Sequence, residues 1–429
     1  RLYVGGPKGN IPISTQKEVD EKYQEVVTQL EQTKQQIDSR GVSVLDYGAV
    51  GDGITDDTQA IQEALDNHTH VYFPAGHTFL VSGLISSKDG ARLVGGGSGN
   101  TTIKQTIEAR NTPIIHLKGE NSLVSDLKIE GEWGVIHDNN PGVKFDKSGI
   151  AQNLHLQYIN GDGINFVSDS SKATNISLYN INGYGIIARA DSQLSNIEAG
   201  RTKRAAIRLA GGHNTVTNAF VWMSGSLSES GRDLINYEDG HGIVVSSRGN
   251  TLAGVTVLAS TMHGIVGDNI QNTFISGTSK HNGRRNNWNS GFAGFKGRNV
   301  QGSTILLNAS NDLDKWADDP SSTAWGWQKH ALLLENFGAI YGNVFNVSAL
   351  NVDSPIVVDS RDWIQLRNRN SVSLADGNNH IIVSELPTAR AELLGQTLLL
   401  KGDSTPDTLY VCMQRSTGQY VWVEIGSTN

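Results

Sequence analysis

An asparagine followed closely by an apolar residue recurs at Asn153, Asn175, Asn196 and Asn218, at intervals of 22, 21 and 22 residues, and Asn250 and Asn272 repeat the 22-residue step. A second marker, a small residue before an apolar one, occurs at Gly163-Ile164, Gly185-Ile186, Ala206-Ile207, Gly242-Ile243, Gly264-Ile265 and Ala331-Leu332, and its steps of 22, 21 and, later, 22 agree with the first series. A fixed period of ~20–50 residues belongs to stacked repeats, because one unit cannot bury its apolar face alone. The units read as short alternating strands separated by Gly and Asn, as over residues 249–257, so the repeat is β and not helical. Two or three strands per coil, stacked ~4.8 Å apart, predict an all-β chain folded as a parallel β-helix. Roughly ten coils make a rod on the order of 50 Å long.

Composition agrees. The chain of 429 residues holds 48 Gly and only 9 Pro, which suits many tight turns at positive φ. No apolar run approaches the ~18 residues of a membrane span. With 18% charged residues, 8 Trp and 11 Tyr, the chain is not a disordered one. The single Cys412 cannot form an internal disulfide. The chain starts at Arg1 without a basic-then-apolar leader, and reads as a fragment or processed product.

Coil length predicts the working face. From Asn218 to Asn250 the interval stretches to 32, with the excess in Ser224 to Glu238. Further insertions span about Asn282 to Ala293 and about Asn311 to Lys329, each just before the small–apolar marker of the next coil. Loops inserted at one corner of a rod build a groove, and grooves suit extended polymers. The residue two before each marker is Asp162, Tyr184, Ala205, His241, His263 and His330, a polar column rich in His. Glu238, Asp239 and Asp233 stand beside it as acid/base candidates, since glycosidic cleavage uses two carboxyls about 5–10 Å apart. His241 is placed to assist. Trp288, Trp316, Trp325 and Trp327 are candidates for stacking on sugar rings. Arg201, Lys203, Arg204 and Arg208, then Arg284, Arg285, Lys296 and Arg298, form a basic strip in a chain of net charge −8, with Arg201, Arg204, Arg284 and Arg285 as binding candidates; this suits an anionic polymer such as a uronate capsule or a phosphodiester-linked teichoic acid. Basic groups do not dominate the domain, so nucleic acid is not the expected partner. No compact His/Cys/Asp cluster reads as a metal site and no cofactor motif is present. Gly95 to Gly99 lacks the Lys-Ser/Thr of a phosphate loop and reads as a turn.

Residues 42–53 alternate as a strand and then break into Gly/Asp turns. Asp56 to Asp66 reads as a helix, with Asp56 as N-cap and Gln59 three residues on. Asp46-Tyr47-Gly48-Ala49 with Gly51-Asp52-Gly53, Thr55-Asp56-Asp57-Thr58, Phe73-Pro74-Ala75-Gly76 and Leu93-Val94-Gly95-Gly96-Gly97 resembles the opening motif of the pectate-lyase-like superfamily. That resemblance implies a right-handed parallel β-helix whose N-terminal end the motif caps. Its Asp residues then serve as turn and cap groups rather than catalysts. Gly240-His241-Gly242-Ile243 resembles the Gly-His-Gly element of polygalacturonases. Their Asn-Thr-Asp and Asp-Asp elements are missing, for the preceding coil reads Ala205-Ala206-Ile207-Arg208-Leu209.

Two appendages flank the rod. Val19, Tyr23, Val26, Leu30, Thr33 and Ile37 follow spacings of 4, 3, 4, 3 and 4, a heptad seam that predicts a coiled-coil stem joining identical chains. Thr397 to Leu400, Leu409 to Met413 and Tyr420 to Ile425 predict a small β meander. The expected organisation is a stem over 1–40, a cap with first coils over 41–110, the looped β-helix over 111–380 and a β module over 381–429. Stem, β-helix and terminal module in that order resemble phage tail spikes, and most nearly the pre-neck appendages of small Bacillus podoviruses. This resemblance implies a homotrimer in the virion, attached to the rest of the phage particle, that binds and depolymerises a host surface polymer. For such appendages the implied polymer is wall teichoic acid and the reaction hydrolysis. The alternatives are a receptor-binding adhesin without catalysis and a polysaccharide lyase.

Overall fold

The computed structural model describes residues 3–6, 9–12, 16–109, 111–132, 140–225, 239–283, 292–310, 328, 330–335, 340, 342–350, 354–358, 371–374, 381–383, 386, 388–389, 397–400 and 408–427. Its body is a parallel β-helix. One side is an eleven-stranded sheet of short strands, from Leu84–Ser86 through Ile164–Phe166, Ile186–Ala188, Ile207–Leu209 and Ile243–Ser246 to Ser354–Val358. Every pairing along it is parallel. The rest of each coil is a longer strand, such as Gly149–Ile159, Lys172–Ile181 or Gln193–Thr202.

The asparagine repeat is the bend in those long strands. Asn153, Asn175, Asn196 and Asn218 all hold φ between 52° and 55°, a left-handed conformation that Asn tolerates better than other side chains. Each amide also donates to the coil below: Asn175 Nδ2 to Asn153 Oδ1 at 2.8 Å, Asn196 to Asn175 at 2.9 Å, and Asn218 to Asn196 at 2.8 Å. Asp126 starts the ladder by accepting from Asn153 Nδ2 at 2.8 Å. One residue type thus turns the backbone and satisfies its own amide within the stack.

Two expectations need correction. Asn250 and Asn272 do not continue this ladder. Register sets Gly254 (φ 66°) above Asn218, whereas Asn250 Oδ1 accepts from Asn214 N at 3.0 Å in a separate buried column. The two columns merge in the sequence because both advance by a coil length. Nor do Gly163, Gly185, Gly242 and Gly264 supply positive φ. They permit close approach: a Cβ at Gly185 would lie 2.3 Å from Ala206 O, and one at Gly163 2.5 Å from Gly185 O.

The apolar partner of that marker fills the core. Val143, Ile164, Ile186, Ile207, Ile243, Ile265, Phe295 and Leu332 stack in one register and are fully buried. Gly294-Phe295 marks a coil that the sequence markers passed over. At the N-terminal end the helix Thr58–Asn67 caps the stack through Ile61, Ala64 and Leu65. Its N-cap is Asp57, not Asp56. Asp56 still accepts from Thr58 N at 2.9 Å, and buried Asp57 takes Val50 N and Gly51 N at 2.6 and 3.0 Å. These carboxylates are turn and cap groups.

Outside the rod, Tyr3–Gly6 and Gly9–Pro12 pair as an antiparallel hairpin inside the segment read as stem. The helix Gln16–Arg40 follows. Of its seam, Val19, Tyr23, Val26 and Leu30 are 48%, 65%, 61% and 68% exposed; the side chains of Thr33 and Ile37 lie outside the described residues. At the other end Thr397–Leu400, Thr408–Gln414 and Tyr420–Ser427 form the expected meander, and Ile381–Val383 adds a fourth, parallel strand. Leu398 and Cys412 are buried at its small core.

Candidate functional site

The corner before each short strand carries the polar column. Parallel register places Asp162, Tyr184, Ala205, His241, His263, Ala293 and His330 at the equivalent position of successive coils. Several members share one structural duty. Asp162 Oδ1 accepts from Tyr184 N at 3.0 Å, His241 Nδ1 from His263 N at 3.3 Å, and His263 Nδ1 from Ala293 N at 3.0 Å. Each side chain therefore satisfies a backbone N–H of the coil above, which the turn would otherwise strand.

This bond fixes the state of His241. With Nδ1 committed as an acceptor, the ring proton of the neutral form sits on Nε2. Burial pushes the His241 pKa down to about 4, against a smaller upward pull from Asp239. Burial also holds His263 well below the usual histidine range. The two rings stack with centroids 5.4 Å apart. At neutral pH His241 is thus a hydrogen-bond donor rather than a free base, and its Nε2 lies 4.0 Å from Asp239 Oδ1.

Asp239 is the partly exposed carboxylate of the group. Its Oδ2 accepts from the Tyr184 hydroxyl, which in turn accepts from Arg208 Nη1. The guanidinium carbons of Arg204 and Arg208 lie 5.3 and 5.0 Å from the Tyr184 ring centroid, within cation–π range. Burial, then the bond to Asp239, raises the Tyr184 pKa. Tyr184 also links the site to Asp162, whose pKa burial raises despite hydrogen bonds from Tyr184 N and Asn165 and the charges of Arg204 and Arg208. A buried carboxyl that resists ionisation is a group that acid chemistry uses. Asp162 stood in the predicted column without being singled out; its burial by neighbouring coils is not visible in the sequence.

Of the predicted site residues, the structure brings Asp239, His241 and Arg204 together. Arg201 lies on the other side of the same tight corner, against Tyr179. Glu238, Asp233, Arg284, Arg285, Trp288, Trp316, Trp325 and Trp327 lie outside the described residues. Tyr184 stood in the predicted column and Arg208 in the predicted basic strip, neither with a role of its own; a second group, on the outer surface of the short-strand sheet, was not foreseen. There His116 Nε2 lies 2.8 Å from Asp146 Oδ2, and Lys144 Nζ 3.0 Å from Asp146 Oδ1. Among the described residues no group of three His, Cys, Asp or Glu side chains is placed to hold a metal ion. No described helix is long and apolar enough to cross a membrane.

Residues 41–293 match the family of rhamnogalacturonase A/epimerase, pectate lyase-like proteins. The chain belongs to that family. Among curated relatives, plasmin and fibronectin-binding protein A of Streptococcus pneumoniae is 29% identical over 223 residues, covering 50% of this chain and 28% of that protein. The pre-neck appendage protein of Bacillus phage phi29 is 47% identical over 64 residues, 15% of this chain and 7% of that protein. This chain thus spans under a third of the length of either. Among solved structures, the enzymatically active domain of bacteriophage CBA120 tailspike protein 2 superposes with a TM-score of 0.57 at 13% identity, covering 86% of this chain and 59% of that one. Family match and superposition agree on a parallel β-helix.

Proposed function

We propose that this chain is the polymer-handling part of a phage appendage, one that binds an anionic host-surface polymer and cleaves it by hydrolysis at the corner around Asp239. The observation that carries the proposal is the Asp239–Tyr184–Arg208 chain of hydrogen bonds beside the neutral, donating His241. It holds a carboxylate in one orientation at the edge of a corner where three insertions begin. In this reading Asp239 takes a proton from the attacking water. A second carboxyl, from Glu238 or Asp233 in the adjoining insertion or from Asp162, gives one to the leaving oxygen. Arg204 and Arg208 offset negative charge on the polymer. The family includes glycan enzymes by name, and the appendage likeness favours wall teichoic acid, whose backbone would make the broken bond a phosphodiester.

The exposed seam of the helix Gln16–Arg40 supports assembly of identical chains, and a homotrimer suits a spike of this order. Incubation with purified wall teichoic acid and with capsule polysaccharide, followed by mass spectrometry of the products, tests the reaction. Hydrolysis gives shortened chains that carry one added water per cut. Unsaturated uronide products would replace it with elimination. Retained binding without shortening would leave an adhesin, a reading the 29%-identical streptococcal binding protein favours.

A further inference from the structure

Tyr179 and Trp222 lie two coils apart in one outward-facing column of the long-strand sheet, with Gly200 between them in register. That glycine is what lets them meet. A Cβ at Gly200 would sit 2.2 Å from Trp222 Cε2, 2.4 Å from Cζ2 and 2.6 Å from Nε1, so the indole lies down against the backbone of the middle coil. Its ring reaches Tyr179 with centroids 5.7 Å apart and planes at 37°. The Arg201 guanidinium carbon lies 5.2 Å from the Tyr179 centroid. Both rings are half-buried. A glycine inside a strand weakens it and marks a close approach, and here the approach flattens an aromatic surface against the rod.

Position adds the second argument. Trp222 ends the strand Thr215–Trp222, just before the insertion of Ser224 to Glu238, and Asp239 lies just after it. The roots of that insertion touch, since a Cβ at Gly225 would meet Gly240 Cα at 2.8 Å. The aromatic pair and Asp239 therefore flank one narrow base from opposite sides of the corner.

We propose that Tyr179 and Trp222 form a stacking shelf for a sugar ring of the bound polymer, with Arg201 beside it to pair with that ring's carboxylate or phosphate. An aromatic face offers a sugar ring broad apolar contact, and a guanidinium matches either anion. The assignment rests on the polymer reading above and extends the binding path past the cleavage corner.

The test measures affinity of the full chain for three probes: polygalacturonate, poly(glycerol phosphate) teichoic acid and neutral α-1,3-glucan. Trp222→Ala is expected to raise Kd about tenfold for the probe bound most tightly, as loss of one stacked ring predicts. Trp222→Phe should recover most of that loss. Arg201→Gln should weaken an anionic probe while leaving α-1,3-glucan alone; whichever of the two anionic polymers responds identifies the anion. Hydroxyl-radical footprinting of the unaltered chain gives a readout independent of folding, with Trp222 and Tyr179 protected once polymer is bound. Equal oxidation with and without polymer, together with an unchanged Kd in Trp222→Ala, would overturn the shelf and leave the polymer reading intact. Failure of the unaltered chain to bind any of the three probes would overturn both.

Discussion

The buried histidines make stability depend on pH in a way that can be worked out in advance. His241 has a pKa of about 4 in the fold, against 6.5 for a free histidine, and its side chain is only 14% exposed. Above pH 6.5 both folded and unfolded chains carry a neutral ring, so the full stability is present. Between 6.5 and 4 the unfolded chain takes up a proton that the folded chain refuses, and stability falls with falling pH. The difference of 6.5 minus 4 corresponds to about 3 kcal/mol once both states are protonated, and to about 2 kcal/mol at pH 5. His263, pushed in the same direction, steepens the same window. Urea unfolding of unaltered chain and His241→Gln at pH 7 and pH 5 isolates the effect. Glutamine can still accept from His263 N but takes no proton, so the variant should lose about 2 kcal/mol less between the two pH values. Histidine labelled with carbon-13 at Cε1 gives the direct view: one resonance titrating near 4 should vanish in the variant. Equal pH losses in the two proteins, or a missing resonance that titrates near 6.5, would refute a buried, neutral His241.

Other outcomes follow from the same geometry. Asp239→Asn should abolish polymer cleavage while leaving binding within about twofold, read by product sizing and by affinity; unchanged cleavage rates would remove Asp239 from the reaction. In the asparagine ladder, Asn196→Gly keeps the left-handed bend but loses two amide contacts, at a cost of about 1–2 kcal/mol, whereas Asn196→Ala should cost about 1 kcal/mol more; denaturation midpoints showing no gap between the two would mean the bend is unstrained. Gly185→Ala forces a contact with Ala206 O and should destabilise by about 1–3 kcal/mol, visible in the same midpoints. Deleting residues 1–40 should convert a trimer to monomer by light scattering, and an intact chain already monomeric would end the stem assignment.

Period and register were legible because a stacked coil repeats its constraints every 21 or 22 residues. The column Asp162, Tyr184, His241, His263 could be written from spacing alone, and the pairing of strands places those residues at equivalent positions. What spacing cannot carry is the reason for a residue type. Asparagine at the bend and glycine before the core residue both look like turn formers, yet one accepts positive φ and the other clears space for a carbonyl. The merged Asn250 series shows the limit of a period: it fixes separation and leaves phase undetermined. The protonation of His241 was beyond reach for a different cause, since it is set by the N–H of His263 one coil away and by burial that several coils create together. Tyr184 and Arg208 were placed in the column and in the basic strip without a role, because neither is a usual acid or base.

The same geometry explains how such a rod can carry chemistry at all. Its core columns tolerate little change: a methyl at Gly185 meets a backbone oxygen, and the markers from Val143 to Leu332 leave no exposed surface. The corner before each short strand is different, because closing it needs only one acceptor for the next coil's N–H. Asp162, His241 and His263 each meet that need with one atom, which leaves Nε2 on each ring, while the second oxygen of Asp162 accepts from Asn165. Residues kept for a structural bond are thereby also candidates for reactivity, and coil stacking supplies neighbours at a fixed spacing. Insertions at that corner add length without disturbing the stack, as the strand register on either side of the Ser224 to Glu238 insertion shows. A β-helix can therefore change its loops, and with them its polymer, while its columns stay fixed, which is why this fold is read easily and its substrate is not.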